Sequence, residues 1–351
     1  MTLRELLGVD LPIIQAPMAG AHVGDLAVAA AGAGALGSLP CAVLSVEDMR
    51  RELAAIRART SKPINVNFFV HAPPAPDPAR EATWRATLAP YYKEFGIDPS
   101  SVPAGRGREP FSAEYANALE EFEPAVVSFH FGLPAPDLLA RVKRWGAKVL
   151  SSATTVEEAL WLESHGVDAV IAQGLEAGGH RGMFLSSDLT TQVGTLALVP
   201  QIVRAVKIPV VAAGGIADAS GVAAAIALGA AGVQVGTAFL LCPETTITAP
   251  HRAALRGASA RHTALTNIFT GRPARGIVNR IIRELGPINA AAPAFPLATS
   301  AIAPLRAKAE AAGSGDFSPL WSGQNASGCR ESPAAEVVRA LAQGLQPMKK
   351  G

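Results

Sequence analysis

The stretch from Val167 to Gly182 reads Val-Asp-Ala-Val-Ile-Ala-Gln-Gly-Leu-Glu-Ala-Gly-Gly-His-Arg-Gly and joins two ingredients of a reactive site. Ala169 to Ala172 has the continuous apolar character of a strand buried on both faces, and it stops at Gln173. A loop follows in which Gly174, Gly178, Gly179 and Gly182 let the backbone approach a ligand closely, and that loop carries His180. Histidine is the usual general base at neutral pH, with an unperturbed pKa of about 6.5. His180 therefore reads either as a proton acceptor or as a surface histidine in a flexible turn. Other expected strand ends add polar or soft side chains: Met18 after the first, Asn67 on the third, His130 on the fourth. Asn67 and Gln173 carry amides that both donate and accept, which serves either a ligand or nearby backbone groups. His130, between Phe129 and Phe131, fits a substrate contact and a structural hydrogen bond equally.

Two glycine turns suggest where an anion would sit. Ala212-Ala-Gly-Gly-Ile216 and Val235-Gly-Thr237 end the seventh and eighth expected strands, the places where barrel folds often bind phosphate through backbone N–H groups and a helix N-terminus. Neither turn holds lysine or arginine, so backbone donors, the Thr237 hydroxyl and a helix capped by Asp218 would carry the charge. Gly215, Gly236 and Thr237 are the expected phosphate contacts. No histidine has a carboxylate or histidine partner at ligand spacing, so no metal is expected. Cys41 has no activating base nearby in sequence and is not expected to be a nucleophile.

These residues need a scaffold that brings many strand ends together. Apolar runs at Pro12–Met18, Gly34–Pro40, Pro63–Val70, Ala125–Phe131, Lys148–Ala153, Ala169–Gln173, Pro209–Gly215 and Gly232–Thr237 alternate with mostly helical connections. Ser45 caps a helix that runs to about Arg59, and Thr155 caps one stopped by Gly166. Eight strands in this spacing predict an α/β fold, a (β/α)8 TIM barrel, whose usual size is about 250 residues. Gly32-Ala-Gly34-Ala-Leu-Gly37 matches a dinucleotide fingerprint, but it follows a helix and precedes a strand, the reverse of the required order. The expected organisation is a barrel over residues 1–260 and a small substrate-side subdomain over residues 261–351. A proline-rich, lid-like insertion over 71–124 contains a helical piece near Ala79–Phe95; the tail has helical stretches near Ile277–Leu285 and Ala334–Leu345.

Composition narrows the partners. Of 351 residues, 49% are hydrophobic and 17% charged, with a net charge of +2, which argues against a nucleic-acid surface and for a small-molecule ligand. Three widely spaced cysteines suit neither a disulfide framework nor a zinc site. The N-terminal residues lack the apolar core of a signal peptide, and no apolar run reaches membrane-span length. A cytoplasmic location follows as an expectation, with oligomerisation left open.

The motifs Gln15-Ala-Pro-Met18, Asn65-Val-Asn-Phe-Phe69, Ser128-Phe-His-Phe-Gly132, Gln173–Gly182, Ala213-Gly-Gly-Ile216 and Gln234-Val-Gly-Thr237 resemble those of the FMN-dependent nitronate monooxygenases. Gly-Gly-His alone is shared with NADH-dependent flavin relatives, including FMN-containing enoyl-acyl-carrier-protein reductases. Gly179-His-Arg-Gly182 beside Ser-Phe-His-Phe is similar to the nitronate-oxidising class. The resemblance implies His180 as the catalytic base for neutral nitroalkanes, with an ionisation near 6.5 in the pH profile, and His130 with His180 as substrate contacts. It implies FMN contacts at Ala16, Pro17, Met18, Asn67, Gln173, Gly178, Gly179, Gly214, Gly215, Gln234, Val235, Gly236 and Thr237. The implied activity is oxidation of alkyl nitronates with O2 to an aldehyde or ketone plus nitrite. The alternative is an NAD(P)H-dependent FMN reductase acting on a quinone or enoyl substrate.

Overall fold

Each expected apolar run supplies a strand in which nearly every residue is buried, because one face meets a ring of helices and the other fills the interior of a closed sheet. In the computed structural model, which describes residues 2–102 and 108–346, the strands are β1 (Ile13–Gln15), β2 (Gly37–Pro40), β3 (Ile64–Phe69), β4 (Val126–His130), β5 (Lys148–Ala153), β6 (Ala169–Gln173), β7 (Gly179–His180), β8 (Val210–Ala213), β9 (Gly232–Val235), β10 (Thr263–Thr266) and β11 (Ala274–Ile277). Eight of them pair in parallel in the order β1-β9-β8-β6-β5-β4-β3-β2, and a bridge between Ile14 and Leu36 joins β1 to β2 and completes the barrel. The positions 103–107 of the expected insertion and 347–351 of the expected tail lie outside the described residues.

Helix ends follow their capping residues. Ser45 accepts from the Asp48 N–H at 3.1 Å, Thr155 from Glu158 at 3.2 Å, and Asp218 from Gly221 at 2.9 Å. The first helix, Leu3–Leu7, starts in a Thr2–Glu5 capping box and ends at Gly8 in the left-handed region. Its Leu3, Leu6 and Leu7 pack with Ile14, Val126 and Leu150 and plug the N-terminal mouth of the barrel. That closure leaves the opposite, C-terminal mouth for ligands.

The insertion and the tail build a second core over that mouth. Helix Pro78–Glu94 lies along helix Ala298–Ala311, with the Trp84 indole donating to Ala298 O at 3.3 Å and the Tyr92 hydroxyl to Ala301 O at 2.5 Å. Trp84, Leu88, Phe269, Ile302 and Phe317 share its apolar interior. A boundary at 260 divides the chain less cleanly than the sequence suggests, because helix Ala334–Ala342 returns to the barrel. There it packs against helices Gly24–Gly32 and Ala219–Ala227 through Ala334, Val338 and Leu341. The expected helix over Ile277–Leu285 begins only at Arg280; Ile277 ends β11 instead, within an antiparallel sheet ordered β10-β11-β7.

Close packing of helix on strand gives one stability test. A Cβ built at Gly37 would lie 2.0 Å from Ala27 O, so helix Gly24–Gly32 can seat on β2 only because residue 37 is glycine. Gly37→Ala should lower stability by about 1–3 kcal/mol or more, read as a reduced denaturant midpoint with unchanged slope. An unaltered midpoint would refute this account of the contact.

Candidate active site

The loop after β6 is folded back on its own strand by a buried cation. The Arg181 guanidinium donates to Gly174 O at 2.7 Å, to Gln173 O at 2.7 Å and to the Gln192 side chain at 2.9 Å. Burial lowers its pKa to about 10, so it stays charged at neutral pH. The Gln173 amide completes the turn, donating to His180 O at 2.9 Å and accepting from the Gly182 N–H at 2.7 Å. His180 is thereby delivered as a strand residue, registered with Ala274 of β11, and only 8% exposed. The surface-turn reading of His180 is therefore excluded.

The imidazole of His180 sits in an aromatic enclosure. The rings of Phe295, Trp321, Phe69 and Phe131 lie with centroids 5.3, 5.6, 5.7 and 6.0 Å from its own. Its Nε2 is 3.0 Å from the Thr270 hydroxyl. Burial, reinforced by the positive charge of Arg108 and Arg272, pushes its pKa well below 6.5. An ionisation near 6.5 was the sequence expectation; the structure moves it lower, because the charged form is desolvated and lies near the Arg108 and Arg272 guanidinium groups.

The other expected residues divide by what their polar atoms do. A cavity of about 380 Å³ at the C-terminal mouth is lined by Ala16, Pro17, Met18, Asn67, His130, Gln173, Gly178, Gly179, His180, Gly214, Gly215, Gln234, Gly236 and Thr237. Val235 is the exception: its side chain faces the core beneath the helices, and only its carbonyl contributes, accepting from Ala16 N at 2.8 Å. His130 has both ring nitrogens engaged, Nε2 with His180 O at 3.1 Å and Nδ1 with the Ser152 hydroxyl at 3.1 Å, so it supports the His180 backbone. Burial lowers its pKa to about 3. Asn67 donates to Ser128 Oγ at 2.9 Å, and the buried Gln234 Oε1 has no hydrogen-bond partner among the described residues. Met18 is held by its N–H on His22 Nε2 at 3.2 Å, while His22 Nδ1 reaches Val23 O at 3.0 Å.

The glycines serve more than one purpose. Gly215 adopts φ +74°, a conformation that glycine takes without strain. Gly178 is required by chain packing rather than by an anion, since its Cβ would lie 2.5 Å from Gly323 N. The tail segment that presses there was not found from sequence. Gly323 N donates to Thr237 Oγ1 at 2.9 Å, Gln324 N to Glu176 O at 2.9 Å, and the Asn325 amide to Gly215 O at 3.0 Å, clasping both glycine turns. Trp321 and Thr270 were also missed; the one available signal was a large aromatic in a Gly-rich tail segment of a chain only 5% aromatic. Among the described residues no group of three His, Cys, Asp or Glu could hold a metal ion. None of their helices is long and apolar enough to cross a membrane.

Comparison with known proteins places this arrangement. A family model described as nitronate monooxygenase matches residues 1–344. The chain is 43% identical to a nitronate monooxygenase of Paraburkholderia phytofirmans, covering 98% of this chain and 94% of that one. It is 44% identical to a nitronate monooxygenase of Pseudomonas aeruginosa, covering 97% and 98%. The crystal structure of a nitroalkane oxidase from Streptomyces ansochromogenes superposes with a TM-score of 0.89 at 40% identity, covering 98% of this chain and 97% of that one.

The buried histidines predict an acid-sensitive fold. Burial lowers His22 and His251 to about 4 and His130 to about 3, and lowers His180 as well, against 6.5 for the open chain. The unfolded chain then binds more protons below pH 6.5, so stability is complete above that pH and is lost as pH falls from 6.5 toward 4. At pH 5 each histidine should cost about 1–2 kcal/mol relative to pH 8, read as a falling urea midpoint. A midpoint level down to pH 5 would contradict the burial.

Proposed function

The chain belongs to the nitronate monooxygenase family, and from that premise we propose that it oxidises alkyl nitronates with O2 through bound FMN, yielding an aldehyde or ketone and nitrite. The observation that carries the reading is the placement of His180, buried in an aromatic enclosure on the wall of a cavity of about 380 Å³ at the C-terminal mouth of the barrel.

The residues present fit a flavin mononucleotide. Gln234 Oε1, buried without a protein partner, offers an acceptor to a ribityl hydroxyl or a ring N–H, and Asn67 and Gln173 line the same cavity. Gly215, Gly236 and Thr237, clasped by the tail, supply one compact anion cradle; a second cradle for an adenosine half has no counterpart in the sequence. Bound FMN supplies the electron acceptor for the substrate. The protein's own work is to bind, desolvate and move a proton. Arg108 lines the cavity, and the Arg272 guanidinium lies 3.9 Å above the Phe131 ring, so the field near His180 favours an anionic substrate. Phe69, Phe131, Phe295 and Trp321 keep water from the reacting carbon. For a neutral nitroalkane, His180 removes the carbon-bound proton; for a nitronate that step has already occurred.

Acid-released cofactor should match FMN by mass, and anaerobic addition of a nitronate should bleach its visible absorbance while NADH scarcely does. Recovery of FAD, or rapid bleaching by NADH without response to nitronate, would overturn the assignment in favour of another nucleotide or of a reductase.

His180→Asn keeps a polar side chain but removes the proton acceptor. Turnover of neutral nitroalkane should fall by about 10²–10⁴-fold, and turnover of nitronate far less. Because His180 is neutral well below pH 6.5, wild-type kcat/KM for nitroalkane should be level across neutral pH, below the pKa of the nitroalkane itself. Equal losses on both substrates at unchanged FMN content would rule out a role confined to proton abstraction.

A further inference from the structure

We propose that Thr270 is a positioning residue that fixes His180 in the Nε2–H tautomer, so that the unprotonated Nδ1 faces the substrate. The consequence for turnover rests on His180 acting as the base; the tautomer itself does not. The Thr270 hydroxyl, buried between β10 and β11, lies 3.0 Å from His180 Nε2 and 3.4 Å from the carbonyl of Arg272. A carbonyl oxygen can only accept, and a hydroxyl has one proton to give. Both contacts are hydrogen bonds only if Thr270 donates to Arg272 O and accepts from His180 Nε2–H. No protein group among the described residues hydrogen-bonds His180 Nδ1, and that atom is not among the buried unpaired ones. Since His180 lines the cavity, Nδ1 is the nitrogen open to a ligand.

The loop carrying Thr270 is built to hold this geometry. Gly271 N donates to Asn267 O at 2.7 Å, and Asn267 exchanges two hydrogen bonds of 2.9 Å with Asn289. A Cβ at Gly271 would meet Pro293 O at 2.1 Å, so the loop is pressed against the segment leading to Phe295. The His180 carbonyl is fixed independently by Gln173 and His130, so ring and backbone are each oriented. Proton movement balances simply: the α-proton of the nitroalkane passes to Nδ1, its bonding electron pair stays on the substrate as nitronate, and the Nε2–H bond to Thr270 is unchanged.

The test uses FMN-loaded enzyme labelled with 15N-histidine, with the His180 signals assigned by difference from His180→Asn. In wild type at neutral pH, Nδ1 should show the shift of an unprotonated ring nitrogen and Nε2 that of a protonated one. Thr270→Val leaves a buried Nε2–H unpaired, which disfavours that tautomer by about 10–100-fold, so protonation should move to Nδ1. Nitroalkane kcat/KM should fall by about the same factor, nitronate turnover should change by less than about 3-fold, and Thr270→Ser should restore both signals and rates. A wild-type Nδ1 that carries the proton, or a Thr270→Val enzyme with unchanged tautomer, would overturn the proposal. Failure of the base reading looks different: His180→Asn would then retain nitroalkane turnover whatever the tautomer shifts report.

Discussion

The catalytic end of the barrel depends on the Arg181 guanidinium beneath the glycine loop. Where β6 ends, the Gln173 carbonyl would be buried without a ladder to join, and a buried carbonyl left unpaired is costly, while the Gly174 carbonyl would keep only the turn bond from Ala177 N–H at 3.1 Å. Arg181 takes both with two parallel donors and a third bond to Gln192, a planar fork that a lysine ammonium cannot reproduce. With those carbonyls satisfied the chain can reverse within a few residues and run as β7. That reversal brings His180 from the barrel to the antiparallel sheet of the tail, and the site exists only where the two cores meet.

Much of this was legible in the sequence because it is local. Buried parallel strands are continuous apolar runs, and caps such as Ser45, Thr155 and Asp218 announce their helices within three residues. The positions of the strand-end residues were readable for the same reason: Asn67, Gln173, Gly215 and Thr237 line the cavity because they stand where the strands stop. The remainder depends on contacts between distant segments. β7 is two residues long and contains a glycine, so no alternation marks it; it is a strand only because β11, nearly a hundred residues later, pairs with it. Asn325 matches a glycosylation pattern in sequence, yet its amide binds Gly215 O. Val235 shows the converse: it stands inside a motif that lines the cavity, but strand alternation turns its side chain to the opposite face.

The electrostatics of the enclosure bear on which substrate it serves. A base works best when its pKa is near the working pH, and His180 is held well below that by burial and by Arg108 and Arg272. The same guanidinium groups, Arg108 and Arg272, that oppose a proton on His180 favour an anion beside it, so the site is poorly matched to the reactant state of a neutral nitroalkane and well matched to the nitronate. The two effects are linked. An anion bound in the cavity must raise the pKa of His180 by as much as protonation of His180 tightens the anion, because both describe one coupling free energy. In the proposed role of His180, proton abstraction would therefore be driven by the product it makes: the imidazolium would be tolerated once the nitronate lies against it. A substrate that arrives as the anion brings that stabilisation with it and needs no proton transfer to obtain it.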